Sequence, residues 1–442
     1  MWKTYLRQIR YLLKENKFFS LVYILGTALS ITMIMLILIT YYINTANIGV
    51  EDKRDRMFFF TRAYVVKPGT DATGDKFYDG LQSSSPVGHK LIEKYMYPLK
   101  TPEAKSLVVN MQSVVYNKTK QVNEEMSAIS TDADFWKMFS MRFLAGGPFS
   151  DVDVKSNARK VVIDESTARA LFGKTDVVNY PIDIDWKEYR VCGVVEDVPS
   201  YLSDAYAHLW LPYTTATSRF FRGGNNDLRD IQGPAKMYLL GYERSDQELI
   251  RQEMEHQIQK LNAPAKKSHF TLNHQPDTAL ESLFRMSSDP YDKIYTRMQV
   301  VLVVIIVLLI LPALNLSGLI VARMKKRGEE IGVRKAFGAS VWNIMGQLFL
   351  ENFVQMLIGG IIGLCLSCGL FQLVRNTLLV SYRTAGNDLS VKGVDVLNFF
   401  HIINFSTICY VILICFLLNL ISTLLPAWRY ARISIVEALN RR

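Results

Sequence analysis

Residues 298–321 read MQVVLVVIIVLLILPALNLSGLIV, and 322–340 continue ARMKKRGEEIGVRKAFGAS. The first stretch is 24 residues long and carries no charge. A bilayer core about 30 Å thick needs about 20 apolar residues at about 1.5 Å rise each. Hydrocarbon offers backbone N–H and C=O groups no water, so a segment that crosses it is a helix bonded to itself. The second stretch gathers Arg323, Lys325, Lys326, Arg327, Arg334 and Lys335 in one short loop. Lys and Arg crowded beside a membrane helix mark the cytoplasmic side.

Three further blocks have the same character: Phe18–Ile43, Ile344–Val374 and Phe405–Leu425. Lys3, Arg7, Arg10, Lys14 and Lys17 precede the first, and Arg429, Arg432, Arg441 and Arg442 follow the last. The loop between the third and fourth blocks offers Arg375, Arg383 and Lys392, offset by Asp388 and Asp395. Both termini and the second–third loop are therefore expected inside, and the segment from about Asn44 to Tyr295 outside. The first block is too long for a cleaved signal and lacks a small-x-small site, so it reads as an uncleaved anchor.

The expected fold class is an α-helical membrane domain of four transmembrane helices with a large mixed α+β extracytoplasmic domain inserted between helices 1 and 2. The divisions are a basic cytoplasmic N-terminus 1–17, helix 18–43, outside domain 44–297, helix 298–321 and cytoplasmic loop 322–343. They continue with helix 344–374, a short outer loop 375–404, helix 405–425 and a cytoplasmic C-terminus 426–442. The net charge of +10 over 442 residues could suit nucleic acid. The excess sits beside the apolar blocks, so topology accounts for it and no nucleic-acid partner is expected.

In the outside segment, Lys67–Val87 is rich in Gly, Pro and Ser and reads as a loop. Lys160–Ile163 is a β-branched run, followed by a helix capped by Asp164 and stopped at Gly173. Ile182–Asp185 and Tyr189–Val195 read as neighbouring strands. Ser245 and Glu248 have capping-box spacing, opening a helix with Ile250, Met254, Ile258 and Leu261 on one face. No internal repeat is visible.

Chemistry is sparse. Phe172-Gly173-Lys174-Thr175 looks like the end of a phosphate loop, but Ala168 stands where the first Gly is required and the address is outside, away from ATP. His89, His208, His256, His269, His274 and His401 have no zinc-ligand spacing. Cys192 is alone in the outside domain, and Cys365-x-x-Cys368 in an apolar helix reads as packing. No catalytic, metal or cofactor-binding residue is expected in this chain.

The loop carries more. Glu329 and Glu330 stand where a helix N-terminus favours negative charge, and Arg334 and Lys335 where its C-terminus favours positive. Val333, Ala336 and Phe337 share one face, and Gly338 suits a left-handed stop. This is a short amphipathic helix, either a surface element that satisfies the positive-inside rule or a dock for a cytoplasmic partner. Inside the third membrane helix, Glu351 lies about 10 Å deep by helix rise, beside Asn352. A carboxylate at the bilayer centre costs about 2.5–3.5 kcal/mol on insertion scales. Both residues read as a polar clamp between helices in preference to a proton or substrate site. Asn315, after the kinking Pro312, reads as interhelical glue. Gly359-x-x-x-Gly363 allows close helix approach, either to a second copy or within one chain.

The loop Arg327–Ser340 closely resembles the one after the second membrane helix in FtsX/MacB-like permeases of ABC transporters. Leu13–Ser20 resembles that family's entry into its first helix. Val161–Glu165, Ala170–Gly173 and Tyr189–Pro199 resemble its extracytoplasmic core, and Pro426–Arg429 with Ile435–Leu439 its C-terminal signature. The resemblance implies a MacB-like core outside and a permease subunit at the bacterial inner membrane, without enzyme activity of its own. Its expected partners are a cytoplasmic ABC ATPase dimer that binds ATP-Mg, a second permease chain (identical or paralogous), a periplasmic adaptor or hydrolase, and membrane lipid. The loop helix, with Glu329, Glu330, Val333, Arg334, Lys335, Ala336 and Phe337, then couples the ATPase to the outside domain. The expected work is export of a peptide, drug or lipoprotein from the outer side of the membrane. The alternatives are an FtsX-like regulator of a cell-wall hydrolase and a peptide-sensing scaffold.

Overall fold

Helix α1 runs without interruption over Lys17–Thr45. Its 29 residues reach about 44 Å at 1.5 Å each, more than a hydrocarbon core requires. The computed structural model describes residues 17–66, 81–117, 121–216, 231–263, 269–285, 293–307 and 340–375, with isolated positions between 310 and 338 and between 409 and 420. The described residues fall into two units. One holds the apolar helices, and the other spans Tyr42–Met298.

The second unit is built on strands β1 (Met57–Phe60), β2 (Ala63–Val66), β3 (Leu81–Ser85), β4 (Ala104–Asn117), β5 (Val122–Thr131) and β6 (Phe143–Gly146). They are followed by β7 (Lys160–Asp164), β8 (Pro181–Ile184), β9 (Lys187–Val195), β10 (Leu209–Pro212), β11 (Lys236–Leu240) and β12 (His269–Thr271). Nine of them form one mixed sheet in the order β1-β11-β4-β5-β10-β7-β9-β6, with β8 bridging β9 to β4. A smaller sheet has the order β12-β2-β3.

Period-two alternation explains how one sheet serves three cores. On β1, Phe58 and Phe60 enter one cluster with Met237, Leu239, Leu107 and Val109. Met57 and Phe59 enter another with Tyr238, Leu240, Val108 and Trp210. Past Val109, β4 turns Met111 and Val115 to a third cluster shared with β7, β8, β9 and β10. That cluster lies inside the ring of strands that the Val115–Ile184 bridge closes.

Helix α2 (Glu165–Phe172) starts on Asp164, whose side chain accepts from Thr167 N at 3.0 Å, and stops at Gly173 with φ +73°. Both ends match the sequence expectation. Helix α3 (Gln247–Asn262) buries Ile250, Met254 and Ile258, with Leu261 partly buried beside them. Its capping box is not the expected Ser245–Glu248 pair. A 3-10 turn over Arg244–Asp246 leads into the helix, so the reciprocal bonds form two residues earlier, between Glu243 and Asp246. The expected loop Lys67–Val87 also contains β3, whose backbone pairs with β2. An edge strand needs only backbone bonds on one side, so its serines leave no apolar signature; residues 67–80 lie outside the described residues.

The remaining helices are apolar. Residues 293–307 are helical, and helix α4 covers Val341–Arg375. Among the described residues, two helices are long and apolar enough to cross a membrane, Ser20–Thr45 and Phe353–Phe371. They touch along the glycines of α4. A Cβ on Gly359 would stand 2.9 Å from Ile24 O, and one on Gly363 2.6 Å from Ala28 O. The Thr32 hydroxyl reaches Gly363 O at 3.0 Å and Ala28 O of its own helix at 2.8 Å.

Candidate functional site

The loop after the second apolar block is described at only a few positions. Phe337 N donates to Val333 O at 3.1 Å, one α-helical turn, and Gly338 follows in the left-handed region at φ +88°. Val333 is 47% exposed and Phe337 88%. An aromatic ring left this open is a candidate anchor for a partner, because truncating such residues in interfaces often costs about 2 kcal/mol or more. Glu329, Glu330, Arg334, Lys335 and Ala336 lie outside the described residues.

In the membrane unit, Glu351 and Asn352 are in α4, about two turns before Gly359; their side chains, and all of Asn315, lie outside the described residues. Gly359 and Gly363 face α1 of the same chain, and that face is filled. Gln355, between Glu351 and Gly359, is fully buried with both amide atoms unpaired among the described residues.

Two ionic networks in the outer unit went unread in the sequence. The last carbonyls of a helix have no partner within it. At the end of α1, Arg54 Nη1 donates to Asn44 O at 3.0 Å. Arg54 Nη2 bonds to Glu51 and, at 3.1 Å, to Asp204 Oδ2, with all three side chains nearly inaccessible. Tyr238 Oη donates to Asp204 Oδ1 at 3.0 Å, and the amides of Asp204 and Ala205 donate to Glu51 Oε1 at 3.2 Å.

The second network adjoins the helix at 293–307. Arg297 Nη1 donates to Phe284 O at 2.6 Å. The next residue in the chain, Arg285, grips Asp277 with two bonds, Nη2 to Oδ1 at 2.6 Å and Nε to Oδ2. Arg285 also reaches Asn273 O at 3.1 Å and Tyr64 Oη at 3.3 Å. Burial pushes the Asp277 carboxyl up to about 6 while Arg285 pulls it back, so the pair is ionised at neutral pH. No sequence spacing marks these residues. The partners of Arg54 include Asp204, 150 residues away.

A further buried carboxyl, Asp132, accepts from Tyr97 Oη at 2.6 Å and Leu107 N at 2.8 Å. Burial outweighs those bonds and raises it from 3.8 to about 6. Among the described residues, no group of three or more His, Cys, Asp or Glu is placed to hold a metal.

The chain matches the model of the MacB-like periplasmic core domain over residues 20–257 and that of the FtsX-like permease C-terminal over residues 302–435. It is 26% identical over 354 residues to the macrolide export ATP-binding/permease protein MacB of Burkholderia orbicola (strain AU 1054), covering 78% of this chain and 48% of that one. To the protein of the same name in Escherichia coli (strain K12) it is 27% identical over 329 residues, covering 72% and 44%. The chain thus spans about half the length of the curated relatives it matches. Among solved structures, the periplasmic region of MacB from Actinobacillus actinomycetemcomitans aligns with TM-score 0.33 and 13% identity over 48% of this chain and 88% of that one. The extracellular domain of the noncanonic ABC-type transporter YknZ from Gram-positive bacteria aligns with TM-score 0.32 and 12% identity, over 48% and 99%.

Proposed function

Since this chain belongs to the FtsX/MacB-like permeases of ABC transporters, we propose that it converts ATP hydrolysis by a cytoplasmic ATPase into movement of its extracytoplasmic unit, for export of a substrate from the outer side of the inner membrane. In this reading the chain crosses the membrane four times with both termini inside. Two permease chains pair with two ATPase chains, and ATP-Mg is held by the ATPase. A peptide, drug or lipoprotein fits as cargo because the work is done outside and requires no pore.

The observation that carries the reading is Phe337, 88% exposed beside a left-handed Gly338 in the loop with the strongest basic flank. Val333, Ala336 and Phe337 supply the apolar contact. Glu329, Glu330, Arg334 and Lys335 set its orientation by charge. Because Gly359 and Gly363 are taken up by α1, the pairing of two permease chains uses another surface.

The test is stimulation of the co-purifying ATPase by the full chain in nanodiscs. Phe337→Ala is expected to weaken ATPase binding roughly 30-fold, the equivalent of about 2 kcal/mol, without loss of membrane insertion. Glu330→Lys is expected to uncouple hydrolysis from export with a smaller loss of affinity. If both variants stimulate the ATPase and support export like the wild type, this helix is only an anchor on the membrane surface.

A further inference from the structure

Strands β8 and β9 are joined by two residues, Asp185 and Trp186, between the register partners Ile184 and Lys187. Both have positive φ, +48° and +64°, as a type I′ hairpin turn requires. Such turns favour Asn, Asp and Gly, because a left-handed backbone brings Cβ close to the following carbonyl. Asp185 suits its place and Trp186 does not. Among the described residues, the other non-Gly residues with positive φ are Gln, Asn, Asp or His. For a bulky side chain this backbone is an outlier.

Packing does not account for the tryptophan. Its side chain is 82% exposed and makes no hydrogen bond or ring contact among the described residues. The outer unit's other tryptophans behave in the opposite way: Trp210 is fully buried, and Trp136 packs against the same core. Backbone strain that neither packing nor turn preference explains gathers at functional sites.

The turn is also fixed in place. Asp185 N donates to Val114 O at 2.9 Å, and Asp185 Oδ1 accepts from Val114 N at 3.0 Å. The next residue of β4, Val115, bridges to Ile184. The ends of the β4–β5 and β8–β9 hairpins therefore stand together. Tyr116, and Val122 opposite Asn117, are exposed beside that junction. A ring presented on a turn held this way loses little freedom when it is bound.

We propose that Trp186 is an anchor for a soluble extracytoplasmic protein, its indole entering an apolar pocket of that partner in which a carbonyl or carboxylate accepts the Nε1–H. A buried indole N–H needs such an acceptor. Two other occupants fit less well. Two copies of this chain meeting tip to tip would bury about 150–250 Å² for each ring, against about 800 Å² per partner in a stable interface. A lipid surface rewards a broad apolar face edged with cations, whereas this ring is flanked on its own hairpin by Asp183, Asp185 and Glu188 against Lys187. The contact requires only an extracytoplasmic address for this unit, whether or not an ATPase docks at Phe337.

The test places a photoreactive phenylalanine analogue at position 186 of the full chain in intact cells, and separately at position 152. Val152 is the control because it is 73% exposed. One extracytoplasmic protein is expected to be joined at 186 and not at 152. That protein is then purified and titrated against the full chain in nanodiscs. Trp186→Gly is expected to weaken its binding roughly 30-fold. The variant should melt no lower than the wild type, because glycine relieves the left-handed strain. An adduct with lipid or with a second copy, equal labelling at both positions, or no adduct would each overturn the proposal. So would a Trp186→Gly chain that binds like the wild type, or one that melts lower, since the ring would then serve packing. None of these outcomes bears on the ATPase contact at Phe337.

Discussion

Asp132 shows how a single buried group sets a pH response. Its carboxyl is desolvated, and the bonds from Tyr97 and Leu107 only partly compensate, so it titrates near 6 when folded and near 3.8 when unfolded. The folded chain binds the proton more tightly over that window, so stability is greatest below 3.8 and falls as pH rises through about 6. The change is on the order of 3 kcal/mol. Thermal unfolding of the full chain in nanodiscs is expected to show this decline, and Asp132→Asn to reduce it, leaving the part that the similarly raised Asp277 contributes. A wild type and a variant with parallel pH profiles would contradict the assignment. Nothing near Asp132 in the sequence signals its burial, because the Tyr97 hydroxyl reaches it from 35 residues away. The same limit hid the Arg54–Asp204 pair, 150 residues apart. By contrast Asp164 as a cap and Gly173 as a stop were legible, since both act on backbone within three or four residues.

At the scale of elements, the α1–α4 seam is the clearest mechanical contact in the membrane unit. Gly359 and Gly363 were legible as a close-approach motif, but the sequence alone left both a second copy and the same chain open as the occupant. The occupant is α1, through Ile24, Thr27, Ala28 and Ile31. Small residues drive helix association in lipid by letting backbones approach, without help from hydrophobic burial. Gly363→Leu places a side chain where a Cβ already stands 2.6 Å from Ala28 O, and overpacking of this kind typically costs about 1–3 kcal/mol. Thr32→Val removes a hydroxyl bond worth about 0.6 kcal/mol in membrane proteins. Denaturant titration in mixed micelles is expected to rank wild type, Thr32→Val and Gly363→Leu in falling order of stability. Equal stability of Gly363→Leu and wild type would mean that the seam does not form. Helix α3 was legible from its buried face, whereas β3 was hidden because an edge strand rich in serine has no apolar alternation.

On the scale of the whole molecule, hydropathy marked out the apolar helices and the polar unit between the first two, because desolvation of the backbone leaves a lipid-facing segment few options. The order of strands in the large sheet was not legible. Neighbours such as β1 and β11, or β5 and β10, come from distant parts of the chain. The central claim is that a separate ATPase docks at Phe337 from the cytoplasm. Its most direct test replaces Phe337 with a photoreactive amino acid in the full chain, irradiates native membranes and identifies what is joined to it. The expected product is a cytoplasmic polypeptide that hydrolyses ATP, which also places this loop inside the cell. A product containing only lipid or a second copy of this chain would contradict the coupling role.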